Sequence, residues 1–297
     1  MGKLTGKVAV VTGASRGIGR GIALVLAEQG ACVYVTGRTV NEGVYYLTGT
    51  VGATAVECTE RGRESGGKGI AVAVDHADDD AVAALFERVR TEAGRLDILI
   101  NNAFQLSDDL LEPRPFWEKP LSNLEMWDVG VRSNFIAAWH AAKIMAPQKS
   151  GLIVAISGYT GVTYTYGTIF GTAKSAVDRM ARDMAVELEP YNVASICLWQ
   201  GLTLTEKARY NLEKMAAKMT NSVTGQTGSS VEHPGRVIAA MAADPAIVKR
   251  SGATYITAEL ADEYGVTDID GRRIESMRDK RGSPLWGPIS ENNHHGR

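Results

Sequence analysis

Short unbroken apolar runs recur along the chain: KVAVVT (7–12), CVYVT (32–36), GIAVAV (69–74), LDILIN (96–101), GLIVAIS (151–157) and VASICLW (193–199). Runs rich in β-branched residues, without polar alternation, are what parallel strands buried on both faces require. The stretches between them, such as GIGRGIALVLAEQG and DDDAVAALFERVRTEAG, carry helical periodicity instead. Gly30 and Gly94 stand where helix C-caps belong, and Asp78 and Asp79 lead the third-strand helix as its dipole prefers. With GATYIT (252–257) as a last strand, the alternation predicts an α/β fold, a Rossmann-type doubly wound parallel sheet of about seven strands with helices on both faces.

No Pro/Gly/Ser linker divides residues 1–297, so one domain is expected. Three segments interrupt the alternation: NEGVYYLTGT (41–50), FQLSDDLLEPRPFWEKP (104–120) and the long stretch 199–230. All follow the carboxyl ends of strands, where open α/β sheets bind ligands. The last is expected to form a lid or substrate region, with Met215 and Met219 joining Phe104, Phe116 and Trp117 in an apolar wall. The polar tail, about 276–297, is expected to be loosely held.

Composition narrows the function. A net charge of −2 and scattered basic residues argue against nucleic acid or an anionic membrane as partner. The N-terminus goes straight into a strand without a signal-peptide core, and no apolar run approaches a membrane span. Cys32, Cys58 and Cys197 lie far apart in apolar or helical contexts, with no metal or redox spacing, which fits a reducing cytoplasm. A small molecule is the expected partner.

TGASRGIG (12–19) supplies the chemistry. It directly follows the first strand and opens a helix, with Gly13 for the turn, Gly17 for close backbone approach and Gly19 for helix packing. Backbone N–H groups and the helix N-terminus then face a diphosphate. An acid after the second strand would hold an NAD ribose. This chain has Arg38 there and Arg16 in the loop, two guanidiniums suited to a 2′-phosphate, so NADP(H) is favoured over NAD(H).

These residues resemble a short-chain dehydrogenase/reductase over roughly residues 4–258, and the stretches AFQ…PFWEKP, LWQGLTLTE and DPAIVKRSGATYITAELADEYGVTDIDGR resemble its member-1 subgroup. The resemblance implies hydride transfer between a nicotinamide and a carbonyl or alcohol carbon. It assigns Gly13, Ser15, Arg16, Gly17, Ile18 and Gly19 to the cofactor loop, and Asp75, with His76 beside it, to adenine. Asn101 and Ala103 match the start of the NNAG motif, Thr203 and Thr205 the cofactor segment after strand six, and Lys174 the lysine of YxxxK. It also implies a homodimer or homotetramer built on the helix carrying Lys174 and its neighbour.

The chain departs from that pattern where the proton should move. Phe170 replaces the tyrosine four residues before Lys174, Phe104 replaces a glycine, and Gly130 aligns with the relay asparagine of many members. The carbonyl-polarising serine is Ser157, unless Gly158 holds that place. In YxxxK the ammonium lowers the phenol's pKa so that it gives or takes the proton as hydride moves. Phe170 keeps the ring without the proton, and such catalysis is worth roughly 10²–10⁴-fold. Tyr159, Tyr164 and Tyr166 lie on the adjoining loop as substitutes. Three readings stay open: an oxidoreductase with an altered relay acting on an apolar or aromatic substrate (carbonyl, C=N or conjugated), a non-redox or cofactor-binding protein on the same fold, or an engineered Tyr→Phe replacement.

Overall fold

Seven apolar runs become seven parallel strands in the computed structural model, which describes residues 2–43, 46–210 and 228–291. They are β1 (Val8–Val11), β2 (Cys32–Gly37), β3 (Lys68–Ala73), β4 (Ile98–Asn101), β5 (Gly151–Gly158), β6 (Val193–Gln200) and β7 (Thr254–Ile256). Their order in the sheet is β3-β2-β1-β4-β5-β6-β7. The order reverses between β1 and β4, and the crevice at that switch point is where such sheets bind ligands.

The connecting helices are α1 (Gly17–Glu28), α2 (Val51–Arg61), α3 (Asp79–Ala93), α4 (Ser133–Gln148), α5 (Thr168–Leu188), α6 (His233–Ala243) and α7 (Thr257–Glu263). Alternate residues of one strand feed different cores. Ala9 and Val11 pack with Leu24 and Leu26 of α1, whereas Val8 and Val10 pack with Leu85 of α3 and Met145 of α4. Burial on both faces explains why the inner strands read as unbroken apolar runs, whereas β3, at the sheet edge, has no buried residue. Truncating one such buried leucine to alanine costs about 2–5 kcal/mol.

Local signals set the helix ends. Asp78 accepts from the backbone N–H groups of Asp80 and Ala81, and Thr50 from that of Ala53, so each caps the helix that follows. Residues Asp128–Arg132, just before α4, form one π-helical turn with Gly130 buried inside it. Among the described residues no helix is long and apolar enough to cross a membrane, and no group of His, Cys, Asp and Glu could hold a metal ion.

The tail departs from expectation. Through residue 291 it is docked rather than loose, because the outer edge of β7 needs hydrogen-bond partners. Thr254 N–H donates to the Trp286 carbonyl at 3.0 Å, and Ile289 N–H to Ser251 O at 2.9 Å. Arg182 of α5, itself buried, donates to Gly287 O at 2.6 Å. Residues 292–297 lie outside the described residues.

Candidate active site

The glycine loop leaves β1 through two residues with left-handed backbone, Gly13 at φ 64° and Gly17 at φ 59°. A Cβ on Gly13 would also stand 2.8 Å from the Ala103 Cα, so the loop lies directly on the end of β4. Asn102 clamps it there, its side-chain amide donating to Thr12 O at 2.8 Å and Gly13 O at 3.0 Å. The backbone N–H groups of Asn102 and Ala103 both donate to Thr12 Oγ1 at 2.9 Å. Asn101 instead faces the core and donates to Asn134 O. Asn102 therefore holds the loop, although the motif reading singled out its two neighbours. Ser15 is buried, Ile18 packs against the core, and a side chain at position 19 would run into Gly13.

On the adenosine side, Arg16 forks to the carbonyls of Thr48 (3.0 Å) and Gly49 (2.8 Å) and to Thr39 Oγ1 (3.2 Å). It thus ties the 41–50 insertion to the glycine loop. Arg38 donates to Gln105 Oε1 at 2.7 Å and lies 3.9 Å from the Asp75 carboxylate. His76 is buried with its Nε2 2.8 Å from Thr36 Oγ1, while its Nδ1 has no hydrogen-bond partner among the described residues. Burial, ahead of the opposing Asp75 charge, lowers its pKa to about 4, so the ring is neutral.

The segment after β6 folds back over the loop. Thr205 lies beside Gly17 and caps a short helical stretch by accepting from Ala208 N–H. Thr203 points elsewhere: it is buried, and its hydroxyl pairs with Ser229 at 3.3 Å. Glu206 was not foreseen. Its Oε2 accepts the Gly17 N–H at 2.9 Å, one of the donors expected to face a diphosphate. Lys207 bonds Tyr46 Oη and pairs with Asp108 at 3.2 Å, and the Tyr46 and Tyr210 rings meet at 5.0 Å. Three separate insertions thereby converge on one rim. Met215 and Met219, and most of the expected lid, lie outside the described residues.

The reacting end is built around Lys174. Its Nζ donates to Ile156 O at 3.1 Å and sits 4.2 Å from the Phe104 ring centroid and 5.8 Å from that of Phe170. Burial, against weaker support from Cys197 and Asp178, lowers the lysine pKa to about 8. Asp178, one turn further along α5, is taken by Trp199 Nε1 (2.8 Å) and Cys197 Sγ (3.1 Å). Phe170 packs edge-on against Phe104 on one side and Tyr166 on the other, at 5.3 and 5.2 Å.

The remaining candidates separate. Ser157 is directed under α5, its hydroxyl donating to the Lys174 carbonyl at 3.4 Å. Gly158 follows on the opposite strand face, with only Gln200 O near a Cβ position. Tyr159 is buried and held, its hydroxyl accepting from Met277 N–H at 3.1 Å. Tyr164 is 79% exposed and stands at the outer wall, leaving Tyr166 as the tyrosine in contact with Phe170. A cavity of about 120 Å³ opens there, walled by Phe170, Tyr166, Ile169, Met126, Leu121 and Lys119 among others.

These residues fit a dinucleotide. The loop is closely seated on β4, a guanidinium stands on each side of the β2 end, and the lysine is positioned by a strand carbonyl. The family profile described as short chain dehydrogenase matches residues 7–216. Dehydrogenase/reductase SDR family member 1 of Mus musculus is 37% identical over 92% of this chain and 86% of its own length. The 1-cyclohexenylcarbonyl-CoA reductase of Streptomyces collinus is 30% identical over 85% and 84%. Among solved structures, a short chain dehydrogenase from Burkholderia cenocepacia J2315 in complex with NADP superposes with a TM-score of 0.69 at 25% identity, covering 86% of this chain and 97% of that one. The chain belongs to the short-chain dehydrogenase/reductase family of nucleotide-binding oxidoreductases, with its likeness to family member 1 running through most of its length.

Proposed function

We propose that the protein is an NADP(H)-dependent oxidoreductase that moves hydride to or from a carbonyl, alcohol, C=N or conjugated carbon of an apolar or aromatic small molecule. The observation that carries this reading is the retained cofactor frame, in which Lys174 keeps its place at the end of β5 although its tyrosine partner is Phe170. NADP(H) supplies the hydride when bound. The protein's own part is to bind and orient. Gly13–Gly19 and Asn102 shape the diphosphate site, Arg16 and Arg38 favour the 2′-phosphate, and Lys174 serves the nicotinamide ribose. Phe104, Phe170 and Tyr166 give the substrate an aromatic wall and exclude water.

Neither Phe170 nor Gly158 can donate a proton, so acceptors that are already polarised suit this site better than simple ketones. Phe104 packs into the space left by Gly130, which marks these two departures as fitted to each other and favours a natural variant site over a single laboratory replacement. Exposed Phe135 and Trp139 on α4 support a homo-oligomer through the α4–α5 face. A cytoplasmic setting fits the free, unpaired cysteines.

The test is NADPH consumption at ~340 nm, the absorbance of the reduced nicotinamide, on ketones, quinones and imines, for this protein and Phe170→Tyr. Turnover of polarised acceptors by the parent protein supports the reading. NADPH binding without consumption by either protein would replace it with a non-redox role.

A further inference from the structure

The cavity beside Phe170 has an uneven chemistry. Most of its wall is apolar or aromatic, with Leu110, Met126, Ile169 and Phe170 among its residues, yet both charged side chains that line it, Lys119 and Arg114, are cationic. Among the described residues no carboxylate lines it. Arg114 is exposed and already paired with Glu112. Lys119 is different. The residue is half-buried, and its ammonium donates to two backbone carbonyls, Asp109 O at 3.3 Å and Leu110 O at 3.5 Å. The nearby Asp109 carboxylate feels the Lys119 charge without forming an ion pair with it, and is hydrogen-bonded by Ser107 and by Asn123 Nδ2, the latter at 3.3 Å.

A cation drawn partly out of water against an apolar wall costs free energy unless an anion meets it. The lysine stands 3.9 Å from the position a Gly167 Cβ would occupy, at the start of α5 and three residues from Phe170. The first turn of α5 carries no side-chain cap, so its backbone adds potential of the same sign. An apolar body lying on Phe170 would therefore bring an attached anionic group within reach of Lys119.

We propose that this cavity selects small carbonyl acids, with the apolar body against Phe170 and the carboxylate on Lys119, and with Arg114 adding charge at the mouth. The proposal rests on the oxidoreductase reading for the identity of the reacting carbon. Lys119 is a specificity residue and takes no part in hydride or proton transfer.

Binding and turnover separate the two ideas. Isothermal titration of the protein saturated with NADP⁺ would compare phenylacetate with phenylacetamide, which differ in charge but little in shape. The acid should bind roughly 10- to 100-fold more tightly, the worth of a charge-assisted contact. Lys119→Met should erase that preference without changing NADP⁺ affinity, and Lys119→Arg should keep most of it. Equal binding of acid and amide, or a preference that survives Lys119→Met, would overturn the proposal. Phenylglyoxylate then reports on NADPH consumption. If acids bind with the stated preference and no NADPH is consumed, the anion site stands and only the oxidoreductase reading falls.

Discussion

The ring of Phe104 occupies the space that a side chain at position 130 would need: a Cβ built on Gly130 collides with that ring. The same ring receives the Lys174 ammonium 4.2 Å from its centroid and the edge of Phe170. Three positions at which this chain leaves the family pattern are thus one packed unit. The aromatic face adds to the weak support from Asp178 and offsets part of the cost of holding a buried cation.

Gly130→Asn should therefore destabilise the protein by about 1–3 kcal/mol, the usual cost of overpacking. Adding Phe104→Gly should recover part of that loss, because the two substitutions share one space. Urea unfolding of the two single variants and the double variant measures the coupling. Additive losses would mean that the ring can move aside.

Lys174 gives a pH dependence of defined sign. Its pKa falls from 10.5 to about 8 on folding. Below pH ~8 the lysine is protonated in both states, and the folded protein carries the full penalty of burying the charge. Between that pH and the ordinary lysine range, the unfolded chain binds more protons and stability rises with pH. Lys174→Met should be more stable than the parent protein at neutral pH, by about 3 kcal/mol. The gap should close as pH rises through the lysine range, and unfolding curves across that range check it.

Glu206 competes for a cofactor donor. While its carboxylate accepts the Gly17 N–H, that group is unavailable to a diphosphate. Glu206→Gln should tighten NADPH binding by about 2- to 30-fold, the range of charge effects at a helix N-terminus. Titration of both proteins with NADPH is the measurement. Unchanged or weaker binding would show that Glu206 leaves the loop at no cost.

Cofactor choice should depend on Arg38. Its guanidinium donates to a neutral amide and has a carboxylate 3.9 Å away. Arg38→Gln should weaken NADPH by about tenfold or more through loss of a charge-assisted contact, and leave NADH nearly unchanged. Equal loss for both cofactors would assign the arginine to holding Asp75 and Gln105.

The inner strands were legible because burial on both faces leaves a compositional mark that needs no partner to be read. The glycine loop was legible because strand, turn and helix follow one another locally. Position 157 was harder, since one residue of register decides which face a side chain takes. In the sheet, Ser157 pairs with Trp199 and Gly158 with Gln200, and this turns the serine under α5. Thr203 answers to Ser229, and Tyr159 to Met277, 118 residues away. Glu206 on Gly17 spans 189 residues and leaves no trace in either segment alone. Contacts of that kind are set by the folded chain, not by local pattern.

The docked tail has a consequence for assembly. By giving β7 an acceptor at Trp286, it occupies one edge of the sheet, where a second chain could otherwise add its own strand. Strand-to-strand addition at the β7 edge is then blocked. A chain truncated before Trp286 would present that bare margin to its neighbours, so its first defect should be lost solubility, ahead of any loss of cofactor binding.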